Sequence, residues 1–137
     1  MTGIVIVTHQ RLGQALIDAA AFVLGFHPEG VKAVSIDLNE PAEKLREMID
    51  KGIKDVKTEK GVLILTDMFG GSPSNLSYSF LEEGKVEVLS GVNLPILLKA
   101  IRSRQDLALP DLIREVEAFG KKSISIASSI LKGNKRE

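Results

Sequence analysis

Apolar positions along the chain fall into two alternating patterns. Gly3 to Val7 carries an unbroken run, Ile4-Val5-Ile6-Val7, of the kind that suits a central strand covered on both faces. Leu12, Ala15, Leu16, Ala19 and Val23 then recur at helical spacing, and Gly25 is placed to close that helix in a left-handed turn. Val31 to Ile36 reads as a second strand, followed by a helix that opens at Asn39-Glu40-Pro41 and carries Leu45, Met48, Ile49 and Ile53 on one face. Gly61 to Leu65 is a third strand. Ser72 is expected to cap a short helix with Pro73 at its first position and Leu76 and Phe80 on its apolar side. Val86 to Leu89 is a fourth strand, and Gly91-Val92-Asn93 leads into a helix from Leu94 to Arg102.

Beyond that point the pattern is less decisive. Leu112, Ile113, Val116 and Phe119 suggest one more helix, whereas Ser123-Ile124-Ser125-Ile126 alternates like a strand and fits either a helix or a sheet edge. Residues 132–137 form a polar tail, which leaves 1–131 as a single domain. Strands alternating with helices are the mark of crossover units. The fold class expected is therefore α/β, with an open, mostly parallel sheet in the order 2-1-3-4, helices on both faces, and room for an extra antiparallel edge strand near the C-terminus.

Length, charge and cysteine content narrow the function. A chain of 137 residues supports one buried core. Lysine plus arginine and aspartate plus glutamate stand at 18 each, so no long-range field draws nucleic acid or an anionic membrane surface. The absence of cysteine excludes disulfides, thiolate catalysis and thiolate metal sites, and agrees with the cytoplasm as compartment. The N-terminus shows no basic leader, and no apolar run approaches the roughly 20 residues that span a bilayer, so neither export nor membrane insertion is expected. No metal or cofactor is called for.

An open parallel sheet binds its ligands at the carboxyl ends of its strands, where the strand order reverses. With strands one and three adjacent, His9 and Asp67 flank that crevice. A carboxylate bonded to the Nδ1–H of an imidazole fixes the tautomer and leaves the Nε2 lone pair facing outward as a nucleophile. It also stabilises the positive charge that grows on the ring during attack. Free histidine titrates near pH ~6.5, so the neutral form is available at cytoplasmic pH. The oxygens of a phosphoryl group need donors already in position. Gly70 and Gly71 let the backbone come close, and Ser72 adds a hydroxyl at a helix start. Thr8 is a further candidate hydroxyl. Each residue also has an ordinary reading as a strand-end, turn or capping residue. His27, in Phe26-His27-Pro28, reads as an exposed turn residue and Asn93 as an N-cap.

Thr8-His9, the run Thr66-Asp67-Met68-Phe69-Gly70-Gly71-Ser72-Pro73-Ser74-Asn75 and Gly91-Val92-Asn93-Leu94-Pro95 together resemble the enzyme IIA component of the mannose (mannose/fructose/sorbose) family of the bacterial phosphoenolpyruvate-dependent sugar phosphotransferase system. The resemblance in order and spacing covers nearly the whole chain. It implies a phosphohistidine carrier: His9 accepts phosphate on Nε2 from the phosphocarrier protein HPr and passes it to an enzyme IIB partner. It implies Asp67 as the orienting acid, the Gly70-Gly71-Ser72 turn as the phosphate holder, and a homodimer that exchanges an antiparallel strand. Two departures stand out. Met68-Phe69 occupies the place where relatives commonly carry Thr-Trp, which removes one hydroxyl, and Gln10 follows the histidine where glycine is frequent. Without an attached IIB domain in this sequence, a free-standing IIA is expected, with a regulatory phosphoacceptor uncoupled from transport as the alternative.

Two other classes fit less well. A receiver-like module needs an acidic pair after the first strand to bind Mg²⁺, and Thr8-His9 cannot supply it. A nucleotide- or flavin-binding module lacks both the GxGxxG and the Walker lysine patterns.

Overall fold

A computed structural model describes residues 1–132. Four strands, β1 (Gly3–His9), β2 (Val31–Ile36), β3 (Val62–Thr66) and β4 (Val86–Ser90), form one sheet in the order β2-β1-β3-β4. All three pairings are parallel. The helices are α1 (Leu12–Leu24), α2 (Ala42–Val56), α3 (Ser72–Ser77), α4 (Leu94–Ser103), α5 (Leu109–Lys122) and α6 (Ala127–Leu131), and a 3₁₀ turn at Tyr78–Phe80 continues α3.

The unbroken apolar strands divide their side chains between two cores. Ile4, Ile6, Leu63 and Leu65 face one side, where Ile17 and Ala20 of α1, Leu97 of α4 and Leu112 and Val116 of α5 cover them. Val5, Val7, Val62 and Ile64 face the other, against Leu45, Ile49, Ile53 and Val56 of α2 and Leu76 of α3. Alternate residues of a strand point to opposite faces, so β1 and β3 must be apolar at every position to be covered twice. That double coverage makes them the rigid centre of the sheet.

Register places the ends. Val7 of β1 lies opposite Thr66 of β3, so both strands finish at the same rim. His9 is the last residue of β1, paired with Ile36, two residues beyond the expected strand end at Val7, and Asp67 follows β3 directly.

One expectation is corrected, and one alternative left open is decided. Gly71, not Ser72, occupies the N-cap position of α3, which makes Ser72 the first helical residue and Pro73 the second; Gly71 is extended there, and no side chain caps the helix. Ser123–Ile126 forms no strand: α5 runs to Lys122, and the chain turns into α6 at Ala127. Alternation makes a strand only when the segment pairs with an edge, and among the described residues Ser123–Ile126 joins none. The only antiparallel pairing outside the named strands, among the described residues, is the Glu82–Val86 bridge at the start of β4. Of the polar tail at 132–137, only Lys132 lies within the described residues.

Among the described residues no helix is long and apolar enough to cross a membrane.

Candidate functional site

His9 and Asp67 meet at the shared rim of β1 and β3. Nδ1 of His9 lies 2.8 Å from Oδ2 of Asp67, and the main-chain amide of His9 donates to the same oxygen at 2.9 Å. An ionised carboxylate can only accept, so Nδ1 carries a proton, and in the neutral ring Nε2 keeps its lone pair. The imidazole is 34% exposed and the carboxylate 11%. The acid is therefore tucked beneath a ring that remains open to solvent.

Asp67 is held from both sides. Its second oxygen, Oδ1, accepts the amide of Met68 at 3.0 Å. Burial pushes its carboxyl upward, but the amide and ring of His9, the ring's charge and the local backbone outweigh burial and hold it below the ordinary carboxylate range. It stays ionised, as an orienting acceptor must.

The glycine turn closes over the outer edge of the ring. A Cβ placed on Gly71 would come within 2.9 Å of His9 Cε1 and 3.5 Å of Nε2, so the turn's backbone sits beside the nitrogen that faces outward. Gly70 has φ 85, a left-handed conformation that an L side chain adopts only with strain. The turn's carbonyls are engaged: Gly71 O accepts the Asn75 amide and the Ser74 hydroxyl, each at 3.0 Å, and Gly70 O accepts Asn75 Nδ2 at 3.4 Å. Among the described residues the amides of Gly70, Gly71 and Ser72 have no protein acceptor. A backbone with acceptors satisfied and donors free is suited to an anion. Ser72 is half-buried at the edge of this turn.

Thr8 takes another place. It is fully buried, and its hydroxyl accepts the Gly13 amide at 2.8 Å, which secures the start of α1 beneath the histidine. Gln10, where glycine was expected, adopts the left-handed conformation itself, with φ 53, and its amide donates to Ile36 O at 3.2 Å. Such a conformation costs a non-glycine residue about 1 kcal/mol. The strained turn directly after His9 lets the chain leave the strand while the ring stays over Asp67. Asn93 is an N-cap, its Oδ1 accepting the Ile96 amide at 2.8 Å, and His27 is exposed in the loop at the opposite end of the sheet.

Reasoning from sequence did not single out the exposed apolar rim beside the ring. Met68 is 54% and Phe69 78% exposed, and the Phe69 ring lies 6.3 Å from that of Tyr78. Two large apolar residues side by side in a loop were the available signal. Such side chains, left in water next to a reactive nitrogen, offer contact area to a macromolecule.

Comparison with known proteins adds an independent line. Residues 3–117 match the family described as "PTS system fructose IIA component". The fructose-specific EIIA component of Bacillus subtilis is 33% identical over 132 residues, which covers 96% of this chain and 90% of that protein. The mannose-specific EIIAB component of Escherichia coli is 36% identical over 104 residues, 75% of this chain but only 32% of that longer protein. Among solved structures, the phosphotransferase system component EIIA from Streptococcus agalactiae superposes with a TM-score of 0.84 at 28% identity, covering 94% of this chain and 99% of that one.

Proposed function

The chain belongs to the mannose-type EIIA family of the sugar phosphotransferase system, and from that premise we propose that it carries a phosphoryl group on Nε2 of His9, taken from HPr and handed to an enzyme IIB partner. The observation that supports this most is the double hydrogen bond from His9 to Asp67 Oδ2, which commits Nδ1 to the acid and turns Nε2 toward the Gly71 backbone.

In the forward step the Nε2 lone pair forms a bond to the donor's phosphorus as the bond from phosphorus to the donor breaks. The Nδ1 proton stays with the ring, and Asp67 balances the positive charge the ring acquires. Free amides of Gly70, Gly71 and Ser72, with the Ser72 hydroxyl, hold the phosphoryl oxygens. Met68 supplies no hydroxyl, so these amides and the Ser72 hydroxyl carry that task. In the reverse sense the same groups release phosphorus to the next nucleophile, which a carrier requires.

A homodimer belongs to the same proposal. β4 is an edge strand with every position half-exposed, and Ile124, Ile126 and Leu131 stand exposed beyond α5. An edge strand and exposed aliphatic side chains, among the described residues, are met when a second copy lays this segment along β4.

Incubation with phosphoenolpyruvate, enzyme I and HPr tests the carrier role. An acid-labile, base-stable phosphate that maps to His9 and vanishes in His9→Ala is expected; a phosphate elsewhere, or none, ends the proposal.

A further inference from the structure

At the end of the sheet opposite His9, about 20 Å away along β1, a cavity of about 460 Å³ opens between the last turns of α1 and α4. Leu24, Phe26, Pro28 and Ile101 give it apolar walls, and Arg102 and Arg104 line it with positive charge that Glu29 offsets in part. Its volume lies in the range of small-molecule sites.

Arg104 is unusual. It is only 3% exposed, and its guanidinium donates to three neutral carbonyls: Thr2 O at 3.1 Å, Gly30 O at 3.4 Å and Glu29 O. Among the described residues its Nε has no hydrogen-bond partner, and neither does the buried hydroxyl of Thr2. Among the described residues no carboxylate forms an ion pair with Arg104. Burial lowers its proton affinity, and the nearby charge of Glu29 opposes this only in part. Arginine does not shed its proton at neutral pH, so a buried cation without an ion-paired carboxylate persists, among the described residues, next to an open apolar cavity. Among the described residues that line the cavity, Glu29 is the one carboxylate against two arginines, which leaves the lining net positive.

We propose that this cavity binds a small organic anion, a carboxylate or phosphate monoester whose compact apolar body packs on Leu24, Phe26 and Ile101 while its charge faces Arg102 and Arg104. The site is separate from the phosphoryl-carrier rim and does not depend on that reading.

Amide ¹H–¹⁵N spectra of the full chain, titrated with benzoate, phenyl phosphate, benzyl alcohol and inorganic phosphate in turn, test it. Benzoate or phenyl phosphate should shift the amides of Leu24, Phe26 and Gln105 saturably, with a Kd of about 1 mM for ligands of that size. The neutral alcohol and the bare ion should not saturate in that range. Arg102→Ala and Phe26→Ala should each weaken binding by about fivefold or more, with phosphorylation of His9 unchanged. Absence of saturable shifts from both anions would leave Arg104 as an internal clamp on three carbonyls and overturn the proposal. Equal binding of benzyl alcohol, equal binding of inorganic phosphate, or the same shifts on concentrating the protein alone would overturn it too, assigning the cavity to apolar contact, to an adventitious ion only, or to a second copy.

Discussion

A single carboxylate oxygen, Oδ2 of Asp67, accepts both the ring Nδ1 and the main-chain amide of His9, at 2.8 and 2.9 Å. Backbone and side chain of the histidine are thus pinned to one point, and the ring has little freedom to turn. Replacing the acid should therefore do more than remove a charge. Asp67→Ala is expected to slow phosphorylation by HPr about a hundredfold or more, the scale of comparable electrostatic deletions, with the fold retained by circular dichroism. Wild-type transfer rates in that variant would remove the dyad from the mechanism.

Two adjacent glycines should fail in different ways. Gly71 has an ordinary φ of −84, but a Cβ there meets the ring at Cε1, so Gly71→Ala or the bulkier Gly71→Val should block phosphorylation by displacing the ring from Asp67, at a stability cost that comes from that lost contact and not from backbone strain. Gly70 faces open space at φ 85, so Gly70→Ala should cost about 1 kcal/mol of stability through strain. Chemical denaturation and a phosphorylation assay on both variants separate the effects. Equal behaviour of the pair would mean that the turn does not approach Nε2.

Acid should reveal the pair as well. The Asp67 carboxyl is lowered in the folded protein, so as pH falls the unfolded chain takes up this proton first. Its contribution to stability is fully present above the ordinary carboxylate value of ~3.9 and is lost as pH drops through the lower folded value. Denaturation of wild type and Asp67→Asn at a series of pH values measures it. Their stability difference should be level near neutrality and shrink below about pH 4; a difference that widens on acidification contradicts the sign.

Asn93 shares the rim but serves its helix. Asn93→Ala should cost about 1 kcal/mol, the usual loss for an N-cap, and leave phosphorylation of His9 at the wild-type rate. A loss of transfer without a loss of stability would instead place Asn93 in the site.

Association is checked by sedimentation. Ile126→Lys adds charge to the exposed segment after α5 and should shift the chain from dimer toward monomer. A wild-type chain that sediments as a monomer at every concentration would remove the exchange from the proposal.

The order β2-β1-β3-β4 and the two-sided burial of β1 and β3 were legible in the residues, because Ile4 to Val7 and Val62 to Leu65 admit no polar face and helical spacing separates them. The turn at Gly70-Gly71 was legible for a similar reason, since backbone freedom is a property of the residue itself. Which hydroxyl goes where was not. Thr8 and Ser72 both looked able to hold phosphate, yet Thr8 faces the amide of Gly13, while Ser72 stands at the turn's edge; only packing distinguishes two residues of like chemistry.

Local sequence, then, determined the elements, their order and the residue types gathered at one rim, because periodicity, proline and glycine act within a few residues of themselves. Tertiary structure decided that one oxygen of Asp67 serves His9 twice, that Gly71 lies against the ring, that Ser123–Ile126 remains outside the sheet and that Arg104 is sealed in against three backbone carbonyls. Each of these depends on which surfaces meet across tens of residues, and burial and hydrogen-bond partnership are properties of those meetings.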